Sequence, residues 1–138
     1  MAETPVHRFP VRVYYEDTDA GGIVYHSAYL RFAERGRTEW LRQLGFDHSG
    51  LRDRTGAGFA VARAEVDYLK PALLDDLLEV ETRIVKSGGA SASLEQDVLR
   101  DGEPIVRMVL RLAFMGSDGK PHRMPDELRA LLANGQGG

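Results

Sequence analysis

Between His26 and Leu44 the apolar side chains recur with a period near 3.6, while before and after that stretch they recur with a period of two. A chain patterned this way carries one long helix among strands. On a helical wheel Tyr29, Leu30, Ala33, Gly36, Trp40, Leu41 and Leu44 share one side, and Arg31, Arg35, Glu39 and Arg42 share the other. Gly45 follows where a helix commonly stops in the left-handed conformation. A helix of about 19 residues is about 28 Å long. One charged residue, Arg37, interrupts the apolar stripe, and a buried guanidinium needs a partner, for which Glu34 and Glu65 are the expected carboxylates.

Ahead of the helix, Val11, Val13 and Tyr15 alternate with Arg12, Tyr14 and Glu16, which predicts a half-buried strand over 11–16. The turn-forming run from Asp17 to Gly22 ends it. After the helix, alternation predicts strands over 60–68, closed by Pro71, then over 78–84 and 92–98, with Gly88 and Gly89 turning the chain between the last two. Asp101-Gly102 is a strong hairpin signal, and 105–115 reads as the longest strand. The tail from Asn134 to Gly138 is expected to be disordered.

The resulting order predicts an α+β domain in which a five-stranded antiparallel sheet surrounds one long helix. Small residues at 60, 62 and 64 would let that helix approach the sheet closely. One helix covers one face only, and edge strands remain. Val109, Ala113 and Met115, on the other face of the last strand, predict burial against a second subunit.

At 138 residues the chain fits a single domain with a core at about 8–125 and flexible termini. A net charge of −3 argues against nucleic acid as the principal partner. With no cysteine there is neither a disulfide framework nor a thiol nucleophile. The sequence offers no bilayer-spanning run and no signal-peptide pattern, so the cytoplasm is the expected compartment. Histidines 7, 26, 48 and 122 lack metal-ligand spacing, the glycine pairs lack a Walker or GxGxxG context, and Ser27 lacks a GxSxG elbow and reads as a helix cap. No cofactor and no metal are expected.

Chemistry concentrates between Tyr15 and His26. Taken singly, Asp19 suits a turn and His26 a helix start. Together with Tyr15 on the helix side of its strand, they stand at a helix N-terminus, whose free N–H groups and partial positive charge can hold a carbonyl oxygen as it becomes negative. A neighbouring carboxylate can activate water or attack directly, so the group forms a candidate acyl-transfer site.

The run VRVYYEDTDAGGIVYHSAYLRFAERGRTEWL resembles the N-terminal signature of hotdog-fold acyl-CoA thioesterases of the 4-hydroxybenzoyl-CoA thioesterase type, nearest the branch associated with the bacterial Tol–Pal system. The resemblance continues through AEVDYLKPALLDDLLEV and covers roughly residues 8–125. It implies a hotdog, with a long central helix wrapped by the sheet, assembled into dimers or homotetramers with active sites between subunits. It also implies that Asp19, His26 and Tyr15 are the catalytic residues. The substrate would be acyl-CoA, or the same phosphopantetheine arm on acyl carrier protein, with coenzyme A entering as part of the substrate. Lys86, Arg100, Lys120 and Arg123 are candidates for a basic rim. Two other readings remain: a hotdog 3-hydroxyacyl thioester dehydratase, and a non-catalytic module that binds acyl-CoA or acyl carrier protein.

Overall fold

The computed structural model describes residues 6–135. Its elements run β1 (His7–Arg12), α1 (Ala28–Gln43), α2 (His48–Thr55), β2 (Ala57–Tyr68), β3 (Leu77–Ser87), β4 (Ser91–Arg100), β5 (Glu103–Gly116) and α3 (Asp126–Asn134). The five strands form one antiparallel sheet in the order β1-β3-β4-β5-β2. The β4–β5 hairpin turns at Asp101 and Gly102, both with positive φ (53° and 79°), the geometry that an Asp-Gly pair favours.

The first strand is shorter than its alternation suggests. Val13 is fully buried and still bonds to the 75–76 loop, but the carboxylate of Asp17 then captures the Tyr14 N–H at 2.9 Å. That bond curls Tyr15–Asp17 into a single 3-10 turn and takes the chain off the sheet. Tyr15 is therefore not a strand residue facing the helix; its side chain is 83% exposed.

Helix α1 buries Tyr29, Phe32, Ala33, Gly36 and Leu41. Phe32 is fully buried and Leu30 exposed, so the stripe is centred slightly differently from the expected one. The helix packs mainly on β1 and β3 rather than on β2. Its close approach is at Gly36, where an added Cβ would sit 2.8 Å from Val80 Cγ1. The small residues of β2 do not serve that purpose.

Beneath Gly36 lies a buried polar pair, Thr82 and Gln96. The Gln96 amide donates to the Ala33 carbonyl at 2.9 Å and to Thr82 Oγ1 at 2.8 Å, while its Oε1 accepts from Arg37 at 3.0 Å. The partner of Arg37 is thus an amide oxygen, not a carboxylate of Glu34 or Glu65. Apolar clusters lie on either side of this pair. One holds Val13, Tyr29, Phe32 and Ile105, and the other holds Leu41, Leu51, Phe114, Leu128 and Leu132. The second cluster is completed by α2 and α3, two short helices that the periodicity did not announce. Asn134 belongs to α3, and residues 136–138 of the expected disordered tail lie outside the described residues.

Strand β2 stands at the sheet's edge, and every residue from Ala60 to Glu65 is exposed. Val109 on neighbouring β5 is 51% exposed.

Candidate active site

Two loops meet at the N-terminus of α1. The first is 19–25. The Asp19 carboxylate accepts the Gly21 N–H at 2.8 Å, the Asp19 N–H donates to the Ile23 carbonyl at 2.9 Å, and Gly22 takes φ +81°, which a side chain would strain. This compact turn fixes the direction of Asp19 and leaves its carboxylate open to solvent on one side. The second loop, 69–76, follows β2. Its Ala72 N–H donates to the buried Tyr29 hydroxyl at 3.0 Å, and its Ala72 carbonyl accepts from Val24 at 2.9 Å, so the two loops are stitched together across α1. Burial pushes the Tyr29 phenol above its ordinary range, with the Ala72 bond acting against this.

Between the loops opens a cleft of about 440 Å³, lined by Asp19, Ile23, Val24, Tyr25, His26, Tyr29, Tyr68, Leu69, Lys70 and Pro71. Asp19 and His26, two of the three residues singled out from sequence, share its wall. Tyr15 is not part of that wall. Tyr68, at the end of β2, stands where the sequence reading sought a tyrosine: its hydroxyl donates to the His26 carbonyl at 3.1 Å and its ring meets the His26 ring edge-on at 6.4 Å. Tyr25 also packs on the imidazole, with ring centroids 4.4 Å apart, and Tyr29 lies 5.8 Å from Tyr68. His26 is thus held against two aromatic rings just ahead of the helix. The sequence signal for Tyr68 was an aromatic placed between the end of an alternating run and a Lys-Pro pair.

Ser27 occupies the N-cap position, yet its side chain makes no capping hydrogen bond. The Ala28 and Leu30 N–H groups close back on the Tyr25 and Ser27 carbonyls at 2.9 and 3.2 Å, and the partial positive charge of the helix end remains to polarise a carbonyl oxygen. Asp17, the second acid of the turn, has a different place. It is 4% exposed, it receives the Tyr14 N–H, and Arg31 lies 3.9 Å away.

The cation at the cleft wall is Lys70, ion-paired with Glu103. Of the four candidate rim cations, Arg100 is nearby but engaged, bonding the Pro71 carbonyl at 3.0 Å and Asp76 at 2.9 Å. The Leu73 N–H, and after it Arg100, hold the Asp76 carboxyl below its ordinary range. Lys86 lies near the opposite end of β3, and Lys120 and Arg123 follow the far end of β5. Among the described residues no three His, Cys, Asp or Glu side chains gather as a metal site.

Residues 13–132 match the family model of the thioesterase-like superfamily. The acyl-CoA thioesterase YbgC of Haemophilus influenzae is 44% identical over 125 residues, covering 90% of this chain and 92% of that protein. A thioesterase of Thermus thermophilus, solved in complex with coenzyme A and Zn, superposes with a TM-score of 0.78 at 31% identity, over 94% of this chain and 98% of that one. A 1,4-dihydroxy-2-naphthoyl-CoA thioesterase from Synechocystis superposes with a TM-score of 0.85 over 94% of this chain and 97% of that one; at 16% identity it speaks for the hotdog fold alone.

Proposed function

This chain belongs to the thioesterase-like superfamily, and we propose on that premise that it hydrolyses the thioester of acyl-CoA to a free acid and a thiol. The observation that carries the reading is the shared cleft of Asp19 and His26 at the start of α1. The thioester carbonyl sits against the helix N-terminus, whose N–H groups stabilise the developing oxyanion. Asp19 takes a proton from water as the water oxygen bonds the carbonyl carbon, or its own carboxylate attacks that carbon; both routes need its charge. The C–S bond then breaks and the thiolate leaves, taking a proton from protonated Asp19 or from water to become coenzyme A; on the direct-attack route a water then cleaves the acyl–Asp19 anhydride, giving the free acid and restoring the carboxylate. His26 orients the reacting groups, and Tyr68 holds His26 by its carbonyl. Tyr15 is not among the residues lining the cleft of one chain, and in this reading Tyr68 joins it as a positioning residue for His26.

The working unit in this reading is a homodimer joined through β2, or a homotetramer made of two such dimers. That strand is twelve residues long, lies at the sheet edge, and exposes Ala60, Val61, Ala62 and Ala64. An edge of this kind pairs readily with a second copy. The phosphopantetheine arm of acyl carrier protein presents the same thioester and is a further substrate of this reading. The cytoplasm, where CoA thioesters occur, is its compartment; among the described residues no helix is long and apolar enough to cross a membrane.

The test is a panel of aliphatic and aromatic acyl-CoAs with detection of released thiol, run beside light scattering. Turnover by a dimer or tetramer is the expected result. Dehydration of 3-hydroxyacyl-CoA without thiol release, or tight acyl-CoA binding without turnover, would replace hydrolysis with one of the rival readings. A stable monomer at micromolar concentration would remove the interface.

A further inference from the structure

A second cleft, of about 300 Å³, opens between the middle of α1, α2 and the first half of β2, away from Asp19. Its wall combines Arg37, Arg52, His48 and Glu34 with Phe59 and Leu112. Arg37 is the unusual member. Its side chain is partly buried, and one of its terminal nitrogens is held by Gln96, itself fully buried. Among the described residues it forms no ion pair within 4.0 Å. Burial is the main cause that lowers its pKa, opposed by the charge of Glu34. A cation placed this way, with donors left over and an apolar wall opposite, is built to receive an anion. With His48 also shifted toward its neutral form by burial, two arginines face one carboxylate across the cleft.

The position of this cleft decides what the anion belongs to. If two β2 strands pair antiparallel in full overlap, Ala57 of one lies opposite the end of the other, where Tyr68 meets the catalytic cleft. The two-fold axis of such a pair is perpendicular to the sheet, so both α1 helices lie on the same face. Phe59, two residues from Ala57, then borders the partner's catalytic cleft on the helix side. In that pairing the Arg37 cleft of one subunit would continue the Asp19 cleft of the other.

Resting on the thioesterase reading above, we propose that the Arg37 cleft is the acyl-end pocket of the neighbouring active site and selects acyl groups that carry a carboxylate at the end remote from the thioester. Phe59 and Leu112 enclose the chain and Arg37 binds the terminal carboxylate, its fork held in place by Gln96. Arg37 is a specificity residue and takes no part in bond breaking.

The experiment compares kcat/KM for ω-carboxyacyl-CoAs, succinyl through suberyl, each against the unsubstituted acyl-CoA of equal length. Wild type should prefer at least one carboxylated member by ~10-fold or more, the range of a charge-assisted hydrogen bond. In Arg37→Met that ratio should fall to near one, and Arg37→Lys should keep part of it. The ratio is taken within each preparation, so a reduced folded fraction does not alter it, and the wild-type ratio needs no variant. Hydrolysis of plain acyl-CoAs with no preference at any length overturns the pocket assignment and leaves the thioesterase reading standing. A preference that survives Arg37→Met places the carboxylate elsewhere and also overturns it. Release of thiol from neither series overturns both.

Discussion

Asp17 and Asp19 are two acids of one turn that should fail in opposite ways when their charge is removed. Asp19 is exposed, and its carboxylate accepts the Gly21 N–H through an oxygen that asparagine would retain. Asp19→Asn should therefore leave stability within about 0.5 kcal/mol of wild type. Turnover should fall by at least ~100-fold, the loss of a positioned base, which is about 2.7 kcal/mol of transition-state stabilisation. Asp17 is 4% exposed and accepts the Tyr14 N–H that starts the 3-10 turn. Asparagine can keep an acceptor there but not the charge. A charge-assisted bond of about 1.5–3 kcal/mol then becomes a neutral one of about 1, a loss of about 0.5–2 kcal/mol. Arg31, 3.9 Å away with a side chain 52% exposed, adds little because water screens it. For a domain of this length Tm should fall by roughly 2–8 °C. The assay is paired: thermal unfolding by calorimetry, and thiol release per folded active site with a single acyl-CoA. Asp17→Asn should move the first and barely the second; Asp19→Asn should do the reverse. If Asp17→Asn abolished turnover in fully folded protein while Asp19→Asn stayed near wild type, the assignment of roles in this turn would be wrong.

Gly36→Ala sets the helix-propensity gain of about 1 kcal/mol against an overpacking cost of about 1–3, because the new methyl meets Val80, fully buried, at 2.8 Å. Calorimetry should show a net loss of stability, and a raised Tm would refute the tight helix–sheet contact. Tyr68→Phe removes the bond to the His26 carbonyl; turnover should fall by about 10-fold while stability changes by no more than about 0.5–1.5 kcal/mol. Equal turnover in the two proteins would end the positioning role. The Asp76 carboxyl titrates below its ordinary value near 3.8, so the stability it contributes is fully present above that value and is lost as pH falls through its folded-state value. Urea unfolding from about pH 5 downward should show a shallower decline in Asp76→Asn than in wild type.

The parts of this fold that were legible in the sequence are those written in local pattern. The strands after the helix follow period-two runs, and the Asp101-Gly102 hairpin follows from two residues that tolerate positive φ. Asp19 and His26 could be brought to one place because only a tight turn separates them. What escaped depends on partners far along the chain. Arg37 signalled a buried charge correctly, but its partner is an amide 59 residues away, chosen by where β4 passes under α1. Tyr68 is set beside His26 by the sheet's order, 42 residues later. Helix α2 buries only Leu51, too little periodicity to be read, and α3 shows its Leu128–Leu132 pair only once a core exists for it to cover.

Strand β2 is the case in which pattern and burial disagree. Ala60, Ala62 and Ala64 alternate with Val61, Arg63 and Glu65 as a half-buried strand should, yet within one chain all six are exposed. The register with β5 slips between Val61 and Arg63, a bulge that interrupts the ladder at the strand's middle. Ordinary protection of such an edge uses charge, proline or brevity; β2 has twelve residues, no proline, and charge only from Arg63 onward. Its first half is small and apolar and adjoins the Arg37 cleft, while its last residue, Tyr68, touches His26. A two-fold pairing of this strand, as proposed above, would bury the alternation, satisfy the edge, and join one chain's apolar half to the Asp19 cleft of the other. The pattern that one chain leaves unburied is the pattern that a second copy would cover.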